Sequence, residues 1–149
     1  MKKITSLLFT LLFGGILMAQ TKGAPKKPSG PLDTKIYIIE IFLDGKDKKW
    51  NDDDIKFNSG KFKSALFADW EFGAALYEGT VIDSTSEKNI IIFSCETKPN
   101  PKKEIMIWSG TVTGKEIEGT IELQSSKGKT MKSYNFAGAE KEKKTTQKK

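Results

Sequence analysis

The amino-acid sequence predicts an all-β protein, an eight-stranded antiparallel up-and-down β-barrel. Three observations lead to this prediction. About eight strand-like runs of roughly seven to ten residues are joined by short turns. The stretch Glu104–Leu123 has the pattern of a β-hairpin with one apolar and one polar face. Glycine recurs in mid-strand, at Gly79, Gly110 and Gly119, where it lets a strand bend at a barrel corner.

The hairpin of Glu104–Leu123 is the centre of the prediction. A two-residue turn at Gly114-Lys115, with glycine first, fixes which residues face each other. On the face that is apolar apart from two glycines, the pairs are Val112 with Ile117, Gly110 with Gly119, Trp108 with Ile121, and Met106 with Leu123. On the mostly polar face, the pairs are Thr111 with Glu118, Ser109 with Thr120, and Ile107 with Glu122. One buried and one solvated face is typical of an antiparallel barrel wall.

The last strand extends the apolar face of this hairpin. A turn at Lys127-Gly128 places Tyr134 opposite Ile121 and Phe136 opposite Gly119. Because Gly119 has no side chain, it leaves room for the ring of Phe136. The two registers are inferred separately and agree on one inward face, which supports both.

The first half of the chain supplies the remaining strands. We expect strands over Thr34–Leu43, Asp54–Asn58, Lys61–Phe67, Ala74–Ile82 and Lys88–Glu96. The second and third form a hairpin around Ser59-Gly60, which pairs Phe57 with Phe62. The polar or proline-containing connections are Asp44–Asp53, Ala68–Gly73, Asp83–Glu87 and Lys98–Lys102. A short helical turn across Ser64–Phe72 is the alternative at the end of the third strand.

The N-terminus has the pattern of a secretory signal peptide. Lys2 and Lys3 precede the apolar run Ile4–Met18, and the small Ala19 follows, so we predict cleavage after Ala19. An uncleaved N-terminal anchor is the alternative, although the run is short for a membrane span. We expect a secreted or periplasmic protein without membrane insertion after cleavage. The predicted organisation is a signal peptide over residues 1–19, a disordered linker over 20–31, the barrel domain over 32–138 and a disordered Lys-rich tail over 139–149.

The formal charge of +6 does not predict a nucleic-acid partner. The chain contains neither Arg nor His, so every side-chain cation is Lys. Residues 32–138 hold 15 Lys against 17 Asp and Glu, a net charge of −2, so the basicity lies outside the predicted barrel. Nucleic-acid-binding domains carry a basic face on their folded part. We therefore predict no nucleic-acid partner.

Cys95 is the only cysteine and lies within an apolar strand-like run. No intramolecular disulfide can form, so the domain must be held together by its core. A small buried hydrophobic side chain is the expected role of this cysteine. A reactive or intermolecular thiol is the alternative.

Strand number, meander order and glycine-bent strands such as Trp108–Val112 make residues 34–138 resemble the calycins, the lipocalin-like small barrels. The resemblance is distant, because the Gly-x-Trp signature of true lipocalins is absent and Trp50 instead follows the first strand in a loop. It implies a barrel just wide enough for side chains to fill or for one small ligand. In the second case, the cavity would be lined by Trp108, Ile121, Tyr134 and Phe136.

The longer loops of such a meander share one end of the barrel. They are Asp44–Asp53, Ala68–Gly73, Thr97–Lys102 and Ser125–Gly128, and they carry Trp50, Trp70 and Phe72. In a calycin-like barrel this end is the mouth, where the three aromatic residues would guard an apolar cavity. The alternative is that they plug the barrel end as ordinary core.

Acidic residues provide two further candidates. Asn51–Asp54, with Asp44 and Asp47, clusters five carboxylates. Their spacing is not that of a calcium loop and lysines are interleaved, so we expect a solvated loop and no metal. Glu40 is the only carboxylate in the first predicted strand. It would either face outward or orient the polar head of a ligand.

The sequence predicts neither an enzyme nor a cofactor. It offers no His for base chemistry near neutral pH, no recognisable nucleophile motif and no glycine-rich phosphate loop. A carboxylate-pair hydrolase is the enzymatic alternative. The placement of Asp and Glu on loops and outward faces argues against it.

Together these features favour a secreted or periplasmic lipocalin-like barrel that binds a small apolar or amphipathic molecule in its interior. The alternative is a filled β-barrel without a ligand cavity, whose outside binds a protein or polysaccharide surface. An open apolar cavity would favour the first function, and a filled core would favour the second.

Overall fold

The computed structural model describes residues 29–85 and 88–142 of the protein. The predicted signal peptide with its cleavage site, most of the predicted linker and the tail from residue 143 lie outside the described residues. Within the described part the protein is all-β, with eight antiparallel strands and one short 3-10 helix. The prediction of an all-β fold with eight antiparallel strands is thereby confirmed.

The sheet closes on itself. The strands are β1 (Ile36–Leu43), β2 (Lys49–Asn58), β3 (Lys61–Ser64), β4 (Ala75–Thr85), β5 (Lys88–Glu96), β6 (Ile105–Thr113), β7 (Glu116–Gln124) and β8 (Thr130–Glu140), and the 3-10 helix is Phe67–Trp70. Each strand pairs antiparallel with its neighbours in sequence, and β8 pairs with β1. Ring closure satisfies backbone hydrogen-bonding groups that an open sheet would leave at its edges.

The hairpin registers predicted from the turns are confirmed. β6 and β7 pair Trp108 with Ile121, and β7 and β8 pair Ile121 with Tyr134. The turn between β2 and β3 is Ser59-Gly60, with φ of 53° and 69°. This left-handed backbone at both positions matches the twist of a two-residue hairpin. Tight turns fix register locally, which is why sequence alone could determine it.

Several element boundaries differ from the prediction. β2 begins at Lys49, so Lys49–Asp53 is strand and not loop. β4 continues to Thr85, into the segment predicted as a turn, and β8 continues to Glu140, beyond the predicted end of the domain. Pairing with neighbouring strands explains these extensions, since Glu40 of β1 faces Asp52 of β2. Strand formation depends strongly on such pairing, so the polar composition of these segments did not reveal that they belong to strands.

Close packing inside the closed sheet requires glycine at positions 110 and 119. They are Cα partners on neighbouring strands. A Cβ atom at Gly119 would lie 2.8 Å from Cζ of Phe136 and 2.6 Å from Cα of Gly110. A Cβ atom at Gly110 would lie 2.6 Å from Cε1 of Phe93. Two aromatic rings therefore occupy the space that side chains at these positions would need.

Replacing Gly119 by Val should destabilise the protein by about 1–3 kcal/mol, the usual cost of overpacking a core. The added methyl groups must displace Phe136 or separate β6 from β7. Gly73→Val is the matched control, because a Cβ atom there meets nothing within 4 Å. Urea unfolding of both variants measures the effect. Equal stability of the two variants would contradict the packing described here.

Candidate binding site

The four residues predicted to line a cavity lie together in the interior of the closed sheet. Trp108, Ile121, Tyr134 and Phe136 are each at most 2% exposed. The space next to Trp108 is occupied by other aromatic rings. The centroid of its ring lies 4.7 Å from that of Phe62, 5.4 Å from that of Phe136 and 5.7 Å from that of Phe67. These side chains form a packed core, stabilised by aromatic contacts and by burial.

Trp50, Trp70 and Phe72 gather at one end of the ring, as predicted, but not all on loops. Trp50 lies on β2, because β1 pairs with that segment, so its predicted loop placement was wrong. Trp70 ends the 3-10 helix, and Phe72 follows it with 3% exposure. The ring centroids of Trp50 and Trp70 are 5.9 Å apart. Both tryptophans are half-buried and pack against the core.

Phe67 links these tryptophans to the core and was missed as a site residue. It begins the 3-10 helix that replaces the predicted end of the third strand, and it is buried. Its ring centroid lies 5.1 Å from that of Trp70 and 6.2 Å from that of Trp50. The alternative of a helical turn across Ser64–Phe72 was therefore the better interpretation of this stretch.

A buried carboxylate holds this 3-10 helix in place. Asp53, 5% exposed, accepts hydrogen bonds from the Ser64 hydroxyl and from the Leu66 backbone N–H at 2.8 Å. The Ser64 Oγ in turn accepts the Phe67 N–H at 3.0 Å. The expectation of a solvated acidic loop is therefore wrong for Asp53. Burial raises its pKa, and this effect exceeds the opposing influence of the hydrogen bonds.

The opposite end of the ring is closed by a turn before β1. Leu32 is buried there, and its backbone N–H donates to the Tyr77 hydroxyl at 3.0 Å. That hydroxyl donates to Asp33 Oδ1 at 3.1 Å. Asp33 also accepts the N–H of Gly60 at 2.9 Å, which ties the closing turn to the hairpin of β2 and β3. Burial is the main cause that raises the pKa of Tyr77, to about 12.

The Tyr134 hydroxyl is an unusual polar atom in this interior. Among the buried side-chain nitrogen and oxygen atoms of the described residues, it alone has no hydrogen-bond partner. The centroid of its ring lies 4.9 Å from that of Trp50, at the end closed by the tryptophans. Burial raises its pKa, so the hydroxyl stays protonated and can donate a hydrogen bond.

The outer surface carries a shallow groove that the sequence analysis did not single out. We call it the outer groove, and its volume is about 670 Å³. Its floor is the backbone at Gly110 and Gly119. One side is a row of successive Cα partners across five strands, which we call the polar row: Ser94, Ser109, Thr120, Asn135 and Phe42. The other side is a second row, formed by Ile92, Thr111, Glu118 and Ala137.

The polar row is accessible to a partner. Its four polar residues are exposed and Phe42 is half-buried. Strands in a sheet lie about 4.8 Å apart, so a row across five strands extends roughly 19 Å along the curved surface. The predicted hairpin already paired Ser109 with Thr120, which was the available signal. The full row depends on ring closure, because Phe42 belongs to β1 and Asn135 to β8.

The remaining candidates have simple structural roles. Glu40 points outward and pairs with Lys49 at 3.3 Å, so it does not reach the interior. Cys95 is buried, and burial raises the pKa of its thiol to about 12, which disfavours the reactive thiolate. In the described ranges, no three His, Cys, Asp or Glu side chains are grouped so as to hold a metal ion. No helix within those ranges is long and apolar enough to span a membrane.

The raised pKa of Asp53 predicts a pH effect on stability. The folded state holds this proton more tightly than the unfolded chain, whose pKa is near the ordinary value of 3.8. Ionisation therefore lowers the unfolding free energy as pH rises through the window between the two pKa values. Asp53→Asn cannot ionise, so the stability of the wild type relative to this variant should fall as the pH rises above 3.8, the ordinary pKa of the carboxyl group.

Urea unfolding at several pH values measures this difference. Asp52→Asn, an exposed neighbour in the same strand, is the control for loss of one carboxylate. Other titrating groups are shared by wild type and variant and cancel in the comparison. A stability difference that grows with pH would contradict the raised pKa and would mean that the hydrogen bonds from Ser64 and Leu66 outweigh burial.

The described residues thus present a packed interior closed at both ends and a groove on the outside. Comparison with protein-family models, curated proteins and solved structures finds no match for this chain. The chemistry of the interior and of the outer groove is therefore the basis for assigning a function.

Proposed function

We propose that this protein is a secreted or periplasmic binding module with a filled, calycin-like up-and-down barrel, and that it binds a polysaccharide chain along the outer groove. The observation that carries the proposal is the polar row over the glycine floor. Lys2-Lys3 and the apolar run Ile4–Met18 support export. The packing around Trp108 supports recognition from outside, because the interior is occupied by the protein's own rings.

The lining of the outer groove suits a neutral carbohydrate. Ser94, Ser109 and Thr120 present hydroxyls, and Asn135 presents an amide, so the row can both donate and accept hydrogen bonds. The ring of Phe42 offers an apolar surface at one end, against which the apolar face of a sugar ring can pack. The only charged side chain in the lining is Glu118. An extended chain of linked sugars matches both the length of the row and its chemistry.

The same lining argues against catalysis in the groove. Glu118 has no second carboxylate in the lining of the groove, whereas glycoside hydrolysis uses a pair of carboxylates. No His occurs in the chain to serve as base near neutral pH. The proposed activity is therefore binding without turnover.

Thr120→Arg should strongly weaken polysaccharide binding. Thr120 is exposed at the centre of the polar row, so a long side chain there blocks the groove while the core is unchanged. On a glycan array, followed by calorimetry with the best ligand, we expect at least about a tenfold loss of affinity. Asn51→Arg on β2, also exposed, is the matched control and should bind normally.

Two results would contradict this proposal. The first is equal binding by the two arginine variants. The second is the absence of binding to any glycan on a broad array, which would favour a protein as the partner of the outer groove.

A second candidate function follows from the Tyr134 hydroxyl. A small amphipathic molecule could place its polar head against this buried donor and its apolar body among Trp50, Trp70 and Phe67. Such a ligand carrier requires the tryptophan end to open, because the rings there are now in contact. Half-exposed tryptophans and a short 3-10 helix are elements that can open at low cost.

Truncation of the tryptophans separates the two functions. In a filled barrel, Trp50→Ala and Trp70→Ala should each cost about 3 kcal/mol or more, and a fluorescent hydrophobic probe should show no saturable binding. Tyr134→Phe should leave stability unchanged or raise it, because it removes an unpartnered hydroxyl. One-to-one probe binding that is weakened by all three substitutions, with little loss of stability from the tryptophan variants, would instead establish the carrier.

A further inference from the structure

A second surface, on the outside of β1, β2 and β3, carries a pair of lysines that face each other. Ile36, Lys56 and Lys63 are successive Cα partners across these three strands. Both lysines are exposed, so their ammonium groups extend from the same face. Like charges directly opposite each other on a sheet destabilise the fold. We call Lys56 and Lys63 the Lys pair.

The surrounding acidic groups do not neutralise the Lys pair. The nearest carboxylate in the same strand, Asp54, is bound by Lys141 at 3.0 Å. Glu140, on the neighbouring β8, is bound by Lys35 at 2.7 Å. Among the described residues, neither Lys56 nor Lys63 takes part in an ion pair. Within the part of the chain that the structure describes, the two cations therefore lie side by side without a bound carboxylate.

An apolar pocket adjoins the Lys pair. It has a volume of about 450 Å³ and is lined by Ile36, Ala65 and Ala68, together with the Lys pair and the ion pair of Asp54 with Lys141. The two alanines leave room that larger side chains would fill. Ile38, 47% exposed on the same face of β1, extends the apolar surface beyond the pocket. The aliphatic stems of the lysines contribute further apolar area below their charged heads.

We infer that this pocket binds an anionic amphiphile, a single molecule with a carboxylate head and an alkyl body. The head would lie between the ammonium groups of Lys56 and Lys63, and the alkyl body would cover Ile36, Ala65 and Ala68. Three lysines and one aspartate line the pocket, so its charge is complementary to an anion. Its volume is in the range of small-molecule sites. This site is separate from the outer groove and independent of the function proposed for it.

The chemistry distinguishes this ligand from other anions. A nucleic acid would meet no arginine, because the chain contains none, and it would gain nothing from the apolar lining. A free small anion would gain nothing from the apolar floor. The combination of a cationic pair and a hydrophobic pocket is matched by a molecule that is both charged and apolar.

Calorimetry with monomeric laurate tests the inference. Laurate should bind one-to-one, and butyrate, with the same head and a short body, should bind much more weakly. Dodecyltrimethylammonium, with the opposite charge and the same chain length, should not bind. Increasing the salt concentration should weaken laurate binding, because the Lys pair is exposed.

Removal of the two charges gives the decisive comparison. Lys56→Gln with Lys63→Gln should weaken laurate binding about tenfold, the effect of losing two exposed charge interactions. Lys98→Gln with Lys127→Gln, on exposed loops elsewhere, removes the same net charge and should leave binding unchanged. Equal affinity of the two double variants would overturn the inference.

A single substitution tests the site without relying on a destabilised protein. Lys63→Glu places opposite charges across β2 and β3, so it should raise the melting temperature by roughly 1–4 °C while abolishing laurate binding. Retained laurate binding by this variant would overturn the inference. Binding of phosphatidylglycerol vesicles without binding of monomeric laurate would also overturn it, because the surface would then recognise a membrane and not a single molecule.

Discussion

The packing of aromatic rings inside a closed sheet is the constraint on which the rest of this structure depends. Eight strands enclose a space that side chains can just fill. Trp108, Phe62 and Phe136 fill much of it. Phe136 fits because Gly119 contributes no side chain, and Phe93 fits because Gly110 contributes none. Loss of either glycine would force a ring to move, and a well-packed interior resists such movement.

Packed side chains also close the two ends of the sheet. At one end, the Asp53–Ser64 network sets the 3-10 helix so that Phe67 reaches Trp108. At the other end, the Tyr77 hydroxyl is hydrogen-bonded to Asp33 and to the backbone of Leu32, and the buried Leu32 side chain closes that end of the sheet. Each end therefore combines a buried polar network with an apolar plug. Satisfied networks of this kind specify one arrangement, because an unpaired buried group is costly.

A filled interior directs attention to the outer surface. The outer groove lies over the backbone at Gly110 and Gly119, and the outward side chains of the rows to either side stand above it. The outward residues of these strands are then free to vary for recognition. The polar row and the Lys pair lie on different strands and differ in charge and polarity, so the protein can present two unlike surfaces on one rigid support.

The sequence could predict what is set locally and could not predict what is set by distant pairing. The register around Gly114-Lys115 was correct because a two-residue turn determines it. The predicted pairs of Ile121 with Tyr134 and Gly119 with Phe136 were also correct, although β7 and β8 shift register by one residue next to the turn, between Leu123 and Gln124. Trp50 was misplaced because β2 extends to pair with β1, although the added segment Lys49–Asp53 has the composition of a loop.

The sequence also did not predict the burial of Asp53 or the polar row, because both depend on contacts between distant segments. Asp53 is buried because the 3-10 helix folds over it. The polar row depends on the pairing of β8 with β1, which brings Asn135 beside Phe42. Periodicity within a single strand shows which residues face outward, but not which of them become neighbours when the ring closes.

The central claim, that the interior is filled by its own side chains, is tested most directly by a crystal structure determined under xenon pressure. Xenon enters dry apolar cavities of sufficient size. The packing described here predicts no xenon between Trp108, Ile121 and Tyr134, with any bound atoms confined to surface pockets. A well-occupied xenon site among these three residues would contradict the filled core and restore an internal ligand as the leading function.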